Sequence, residues 1–318
     1  MEYADLDWKN LGFKYRETDY SYISRYIANG WDEGNVKKDR LSIDEKKLDV
    51  NSIKQCFEEL KAYRSKEGDI YLFRPYENIV RLNRNCEKLL IPNIPKEKFI
   101  KALKDVVRAN ERFVPPYDSK ASLDIRPFIS EISNQSNLKI PKEYIFSIYV
   151  TPVGPTPMNL SNIIITKDRK RIDEVSNSTK SLKDKELIYI NKNNKLEDIN
   201  NTNLFVITKN DVFVSLKSSS GLPSITKNSI MYIAKNYLDM KVEERDIYLE
   251  EIDNFCEIGT CSTKYMIKPI KSIIYEDKEY RVQNNKIGPV TNELYDTLRG
   301  IQYKDIQGPK DWVVKVDF

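Results

Sequence analysis

The sequence contains no histidine, and this absence excludes several kinds of chemistry. Ser-His and Cys-His nucleophile pairs need an imidazole, which is also the commonest general base in enzymes. The four cysteines, Cys56, Cys86, Cys256 and Cys261, are too few and too scattered for a disulfide framework. They are also unsuitably spaced for zinc, so we expect reduced thiols that are mostly structural. Any chemistry must therefore use lysine, tyrosine, carboxylates or a bound cofactor.

Long apolar runs and an excess of one charge are also missing. No run approaches the roughly 18 apolar residues that a membrane span needs, and the N-terminal "MEYADLDWKN" is too acidic and polar for a signal peptide. The 52 basic residues nearly balance the 48 acidic ones, and a net charge of +4 creates no strong field for nucleic acid or lipid. We therefore expect a cytoplasmic protein without a nucleic acid or membrane partner.

The length and the apolar content of the chain favour two domains. At 318 residues with 40% hydrophobic residues, a single core usually splits in two. Pro152 and Gly154-Pro155 follow a strand-like run and are typical of a linker. The sequence thus predicts a smaller domain over residues 1–152 and a larger one over 153–318. Strand patterns outnumber helical patterns in both halves, which indicates the α+β class.

Four segments have the pattern of helices. "YENIVRLNRNCEKLLIP" has apolar residues at helical spacing and ends at Pro92, and the next segment places Phe99, Leu103 and Val107 on one stripe. Two further helices are predicted from Ser224 to Leu238 and near Val290 to Leu298. Strands are predicted over 69–74, 163–166, 187–190, 204–208 and 212–215, and in "ASLDIRPFIS" and "YIFSIYVTPVGP".

One constellation in the second half suits a phosphate. In "SSSGLPSITKNS" a turn precedes a helix start capped by Ser224, which leaves backbone N–H groups at Ile225 and Thr226 for an anion. A second hydroxyl-rich turn over 259–263 and a bidentate charge from Arg84 would complete such a site. Serine caps are common in helices of every function, so a purely structural role is the alternative.

Eight strings, in order along the chain, carry a resemblance to a known family. They are "FEELKAYR", "YLFRPYENIVRLNRNCEKLLIP", "FVPPYDSKASLDIRPFIS", "YVTPVGP", "LPSITKNS", "EIGTCSTKYMIKPI", "IGPVTNELYDTLRGIQYKDIQGP" and "DWVVKV". The chain resembles the branched-chain amino acid aminotransferases, fold-type IV enzymes that use pyridoxal 5'-phosphate. The resemblance implies a two-domain α+β fold, a dimer and a cofactor held between the domains.

The resemblance also assigns cofactor-binding positions. Arg84 in "RLNR" matches the phosphate-binding arginine, Ile225 and Thr226 match the donors at the helix start, and Thr263 matches the threonine of the second phosphate turn. Asp198 falls where the family has a glutamate that pairs with the pyridine nitrogen. The resemblance therefore implies an intact phosphate site.

The segment that carries the family's reacting lysine differs. Between the strands ending at Thr166 and beginning at Leu187, family members have K-x-G-G-N-Y, whose lysine forms a Schiff base with the cofactor and moves the substrate's proton. Here "EVSNST" aligns with that motif, and Glu174 takes the place of the lysine. A carboxylate cannot condense with an aldehyde. The alternative is a lysine displaced in register, with Lys170, Lys180 and Lys183 nearby, although none is followed by glycines.

Other pocket positions implied by the resemblance also change. Asp124 replaces a tyrosine that helps to bind the substrate carboxylate, Glu59 replaces a glycine, and Ser52 replaces an aromatic residue, whereas Arg126 is retained. Ser262 and Lys264 replace glycine and alanine beside the phosphate turn. An acid at position 124 is expected to repel a carboxylate.

Two functional hypotheses follow. The first is a degenerate, catalytically silent member of the family (a pseudoenzyme) that binds pyridoxal 5'-phosphate non-covalently or not at all. It would act as a binding or scaffold subunit, as a homodimer or in a heterodimer with an active homologue. The second is a working enzyme of altered specificity. It would be either a transaminase that acts on an amino acid or 2-oxo acid with a displaced lysine such as Lys180 or Lys264, or an enzyme of a different reaction in the same cleft.

Overall fold

The computed structural model describes residues 2–27, 30–38, 54–132, 143–167, 185–197, 203–217, 223–276, 278–282 and 286–318. The chain divides into two compact units, the first formed by Met1–Pro155 with Gly300–Phe318 and the second by Thr156–Arg299. The prediction placed the boundary after residue 152 and assigned residues 300–318 to the second domain. The structure groups these C-terminal residues with the first unit.

Up to residue 155 the first unit contains two helices and eight strands among the described residues. The helices are α1 (Pro75–Leu89) and α2 (Lys96–Ala109). The strands are β1 (Ser21–Ile27), β2 (Gly30–Trp31), β3 (Asn35–Lys37), β4 (Gln55–Phe57), β5 (Leu60–Arg64), β6 (Ile70–Phe73), β7 (Ser122–Glu131) and β8 (Tyr144–Val153). Short 3-10 turns lie at Glu111–Phe113 and Tyr117–Ser119.

The second unit contains strands β9 to β17, helix α3 and most of helix α4. Its described strands are β9 (Ser161–Thr166), β10 (Lys185–Ile190), β11 (Leu196–Glu197), β12 (Asn203–Thr208), β13 (Val212–Leu216), β14 (Lys241–Arg245), β15 (Phe255–Ser262), β16 (Met266–Tyr275) and β17 (Lys278–Arg281). Helix α3 covers Ile225–Asn236, a 3-10 turn covers Leu249–Asn254, and α4 covers Pro289–Gln302. The last strand, β18 (Val313–Lys315), belongs to the first unit.

The sheet of the first unit has the strand order β18-β6-β5-β7-β8-β1-β2, with β3 on β1 and β4 on β7. Alternate residues of a strand face opposite sides of a sheet, so Leu123 and Ile125 of β7 point into one core. Helices α1 and α2 cover this side with Ile79 and Phe99, both buried in the same cluster. The stripe predicted for α2 is thus buried against the first sheet, whereas the apolar pattern predicted for α1 is only partly buried, because Val80, Leu89 and Leu90 are exposed.

The sheet of the second unit has the order β11-β10-β9-β16-β15-β12-β13-β14, with β17 on β16. Three of its pairs are parallel, namely β9 with β10, β9 with β16, and β13 with β14. Its core contains Ile163, Val206, Val214, Ile258 and Ile270. Helix α3 packs against β13, β14 and β15. Both units therefore combine a mainly antiparallel sheet with helices, as the α+β prediction required.

None of the helices in the ranges above is long and apolar enough to cross a membrane. All four cysteines are free, with Cys56, Cys86 and Cys261 buried and Cys256 exposed.

Candidate cofactor-binding site

The two hydroxyl-rich turns of the second unit lie at the same end of its sheet. Asn203, the first residue of β12, pairs with Cys261 near the end of β15, and Phe205 pairs with Ser215 near the end of β13. The ends of β13 and β15 are therefore two strands apart, about 10 Å at the usual strand spacing. Helix α3 begins beside the end of β13, because Lys227 Nζ donates to Leu216 O at 3.3 Å. This register places the predicted donors at Ile225, Thr226 and Thr263 at one end of the second sheet, which we call the phosphate-binding edge.

The start of α3 has the geometry of an anion-binding helix terminus. Ser224 precedes the helix in an extended conformation, and its Oγ accepts a hydrogen bond from Lys227 N at 3.2 Å. A helix start leaves several backbone N–H groups without an intrahelical partner, and the Ser224 cap satisfies the N–H of Lys227. Ile225 and Thr226 precede Lys227 in the first turn. The side chain of Thr226 is buried. Backbone N–H groups and the helix dipole both favour a phosphate at such a position.

Replacing Ser224 with alanine is expected to lower the free energy of unfolding by about 0.5–2 kcal/mol, because the N–H of Lys227 loses its acceptor. Urea denaturation of the purified variant measures this loss. Asn228→Ala is the matched control, since this residue is exposed in the same turn and should change stability by less than about 0.5 kcal/mol. Equal effects of the two variants would show that the cap does not stabilise the helix start.

The second turn was predicted over residues 259–263, but residues 255–262 form strand β15, and the turn that joins β15 to β16 covers residues 263–265. It is closed by Tyr265 N, which donates to Ser262 Oγ at 3.2 Å, and by Met266 in a left-handed conformation with φ of 57°. Lys264 is exposed, and its Nζ lies 4.9 Å from the centroid of the Tyr265 ring. Its carbonyl accepts a hydrogen bond from Thr156 Oγ1 at 3.3 Å. The ammonium group of Lys264, at the position where the resemblance implies an alanine, therefore packs against the aromatic ring of Tyr265 in the same turn.

Arg84, the predicted phosphate-binding arginine, is exposed on α1 of the first unit. A second arginine, which the sequence analysis did not single out, lies at the start of the same helix. Arg74 is 8% exposed and precedes Pro75 with φ of 50°, and its guanidinium lies 4.4 Å from the Trp312 ring. It also forms an ion pair with Glu77 at 2.8 Å. Its guanidinium is therefore already engaged by groups of the first unit.

The substrate-pocket positions of the first unit are brought together by its sheet. Lys61 of β5 is the direct cross-strand partner of Asp124 of β7, and Arg126 follows two residues along the same strand. The Arg126 guanidinium lies 3.4 Å from Glu59 and 3.5 Å from Asp124. The expectation that Asp124 repels a substrate carboxylate stays a prediction; the structure shows this side chain in ion pairs with Arg126 and Lys61.

Several predicted positions lie outside the described residues. They are Ser52, Glu174, Asp198 and the nearby lysines Lys170, Lys180 and Lys183. The described positions are divided between the units, with Arg84, Glu59, Asp124 and Arg126 in the first and Ile225, Thr226, Thr263 and Lys264 in the second. The residues predicted to line a substrate pocket thus lie in one unit, and the two turns predicted to bind phosphate lie in the other.

Two buried carboxylates that the sequence analysis did not single out anchor helices. Glu58 accepts two hydrogen bonds from Arg81 of α1, at 2.8 and 2.6 Å. Glu257 of β15 accepts hydrogen bonds from Val290 N at 3.0 Å, Thr291 N at 2.7 Å and Thr291 Oγ1 at 2.6 Å, at the start of α4. Both carboxylates hold a helix against its own sheet.

Comparison with known proteins places the chain in a family. The family described as Amino-transferase class IV matches residues 179–273. The chain is 39% identical to the branched-chain-amino-acid aminotransferase of Haemophilus influenzae, over 98% of this chain and 99% of that protein. The chain belongs to the branched-chain aminotransferase family. The branched-chain-amino-acid aminotransferase of Helicobacter pylori is 37% identical, over 98% of each chain. The family assignment made from the motifs is confirmed.

Solved branched-chain aminotransferases share the fold. The Escherichia coli enzyme superposes with a TM-score of 0.72 at 18% identity, over 95% of this chain and 100% of that one. The Thermobaculum terrenum enzyme, solved in its PLP-form, gives 0.71 at 19% identity, over 95% and 99%. The fold-type IV prediction is therefore confirmed. Pyridoxal 5'-phosphate ends in a phosphate dianion, and the donors at the start of α3 and the hydroxyl of Thr263 have the chemistry to hold that group.

The alignments with the two bacterial relatives contain gaps in this chain. The alignments with the Haemophilus and Helicobacter proteins extend over 345 and 336 positions, whereas the chain has 318 residues. Segments that these relatives contain are therefore absent from it.

Proposed function

We propose that this protein is a catalytically silent member of the branched-chain aminotransferase family that keeps a phosphate-binding edge and acts as a binding or scaffold subunit. The observation that carries the proposal is the sequence between Pro155 and Ser220, which contains no glycine and therefore no K-x-G-G-N-Y motif. Glu174 stands where the alignment with that motif puts the lysine. The gaps that the alignment with the Haemophilus influenzae relative leaves in this chain support a loss of segments.

The missing side chain has two roles in the family's chemistry. Bound pyridoxal 5'-phosphate supplies an electron sink for the substrate, but a protein amine must hold its carbonyl carbon and carry the proton. A glutamate side chain has no nucleophilic nitrogen and cannot form that covalent link. With the phosphate donors of the second unit retained, we infer that the cofactor is held without a covalent bond, if it is held at all.

Mass spectrometry tests this proposal directly. The purified protein is incubated with pyridoxal 5'-phosphate, reduced with borohydride and digested, and the peptides are searched for a lysine that carries the reduced cofactor. We expect no modified lysine at stoichiometric yield, whereas the Haemophilus influenzae relative treated in parallel is the positive control. A single lysine modified in most of the molecules would overturn the proposal.

A second candidate is an active transaminase of altered specificity. The identities of 39% and 37% over nearly the whole chain to branched-chain aminotransferases favour it. Its lysine would be Lys180 or Lys264, and Lys264 is the one whose surroundings are described. Transfer of the amino group from glutamate to 4-methyl-2-oxopentanoate, abolished by Lys180→Ala or Lys264→Ala, would establish this function. No turnover over a panel of 2-oxo acids would exclude it.

We further propose a cytosolic location and a dimer. The homodimer is the simplest assembly, and a heterodimer with an active homologue is the form in which a silent subunit would regulate or complete a partner. Sedimentation of the purified protein, alone and mixed with an active homologue, distinguishes the two assemblies.

A further inference from the structure

Charged side chains gather on one face of the first sheet, and two of them are buried. Leu60 and Ala62 of β5 and Leu123 and Ile125 of β7 point into the core beneath α1 and α2. The alternation of strand side chains therefore turns Lys61, Asp124 and Arg126 to the opposite face. We call these three residues, with Glu59, the charge cluster. Lys61 is 5% exposed and Asp124 is 4% exposed.

The charge cluster is neutral within itself. Lys61 Nζ lies 3.4 Å from Asp124 Oδ1, and the other carboxylate oxygen of Asp124 lies 3.5 Å from Arg126. Glu59 Oε1 lies 3.4 Å from the same guanidinium nitrogen. Two cations thus face two carboxylates of the same chain, and both carboxylates contact Arg126.

The internal carboxylates dominate the electrostatics of Arg126. Burial alone would lower the pKa of this guanidinium, but the negative charges of Glu59 and Asp124 outweigh burial and raise the pKa above its ordinary value. Both internal acids lie against the same nitrogen of the guanidinium, so an incoming carboxylate would be repelled by both. Lys61 offers no replacement, because its ammonium is buried against Asp124.

We propose that Glu59 and Asp124 are specificity-determining residues that occupy Arg126 and so close this face to the carboxylate of a 2-oxo acid. This inference rests on the proposed function, since it names the ligand class that the same site rejects. The neutralisation of Arg126 and the loss of a reacting lysine are independent changes, so the two can be tested separately.

The test measures binding rather than turnover. Ligand-observed NMR follows 4-methyl-2-oxopentanoate with the wild type, with Glu59→Gln, and with Glu59→Gln combined with Asp124→Asn, each in the presence and absence of pyridoxal 5'-phosphate. We expect at least about tenfold tighter binding by the double variant than by the wild type, the effect of one regained charge-assisted contact. Glu59→Gln leaves Lys61 paired and should give a smaller gain.

Two controls make the result specific. Adding Arg126→Gln to the double variant should abolish the gained binding. Asp19→Asn removes an acid from another ion pair of the first unit, the contact of Arg112 with Asp19 at 2.7 Å, and should leave binding at the wild-type level. Thermal unfolding of each variant verifies that it is folded, and Glu59→Gln provides the test if the double variant is not.

The outcomes are distinguishable from those of the proposed function. The inference would be overturned if the wild type bound the 2-oxo acid as tightly as the double variant and lost that binding on Arg126→Gln. A folded Glu59→Gln variant that binds no more tightly than the wild type would also overturn it. If a lysine adduct is found but neutralising the acids still tightens 2-oxo acid binding, the silent-subunit proposal fails and this inference stands.

Discussion

Arg81→Met is expected to lower the free energy of unfolding by about 3–5 kcal/mol at pH 8, because it leaves the buried carboxylate of Glu58 without its counter-charge. The Glu58 side chain is 2% exposed, and Arg81 holds it with two hydrogen bonds. Replacing both residues with methionine should recover most of the loss, since burying neither charge removes the desolvation cost. Arg108→Met is the matched control because its ion pair with Asp105 is on the surface, where such pairs contribute less than about 1 kcal/mol.

The effect of Arg81→Met should also depend on pH. Burial raises the pKa of Glu58 above its ordinary value, and the hydrogen bonds and charge of Arg81 only partly offset this. An acid with a raised folded-state pKa contributes stability that is present below its unfolded pKa and is lost as the pH rises through the folded value. Without Arg81 the folded pKa rises further. The destabilisation measured by urea unfolding should therefore shrink as the pH is lowered from 8 towards the ordinary glutamate range. A loss independent of pH would contradict this account.

Glu257→Ala is expected to cost about 3–5 kcal/mol, because three donors at the start of α4 lose their acceptor inside the second unit and each unsatisfied group costs about 1–3 kcal/mol. Glu257 is 3% exposed. Gly288→Ala should have a comparable effect, since a methyl group there would overlap this fixed carboxylate. Urea unfolding measures both variants.

Controls for the α4 prediction come from the same chain. Asp296→Ala removes an exposed carboxylate from α4 that accepts a hydrogen bond from Asn292 at 2.8 Å, and Gly30→Ala adds a methyl group where no atom of the described residues lies within 4 Å. Both should change stability by less than about 1 kcal/mol. If Glu257→Ala were no more destabilising than Asp296→Ala, the carboxylate would not be the anchor of the helix.

Local patterns were sufficient to predict the helices. The predicted stripe of Phe99, Leu103 and Val107 is the buried face of α2, and Ser224 is the cap of α3, as expected. Periodicity and capping are encoded within a few residues, so they can be read without knowledge of the fold. The strands at 163–166, 204–208 and 212–215 were also found within one or two residues of their observed bounds.

Strand pairing and buried charge could not be predicted in this way. Lys61 and Asp124 are opposite each other only because β5 and β7 are neighbours in a particular register, and sequence distance carries no signal of it. The sequence analysis therefore expected Asp124 to repel ligands but did not find its pairing with Lys61. Glu58 within "FEEL" looks like any surface glutamate, and only the packing of α1 on β4 reveals that it is buried.

The return of the C-terminus to the first unit has a practical consequence for dissecting the protein. Strand β18 covers the edge of β6, Val316 N donates to Ile70 O at 2.9 Å, and Trp312 lies against Arg74. A recombinant fragment that stops at Pro155 would expose an unprotected β-edge prone to aggregation. An N-terminal half intended for separate expression should therefore carry residues 300–318, either fused to it or added in trans as a complementing peptide.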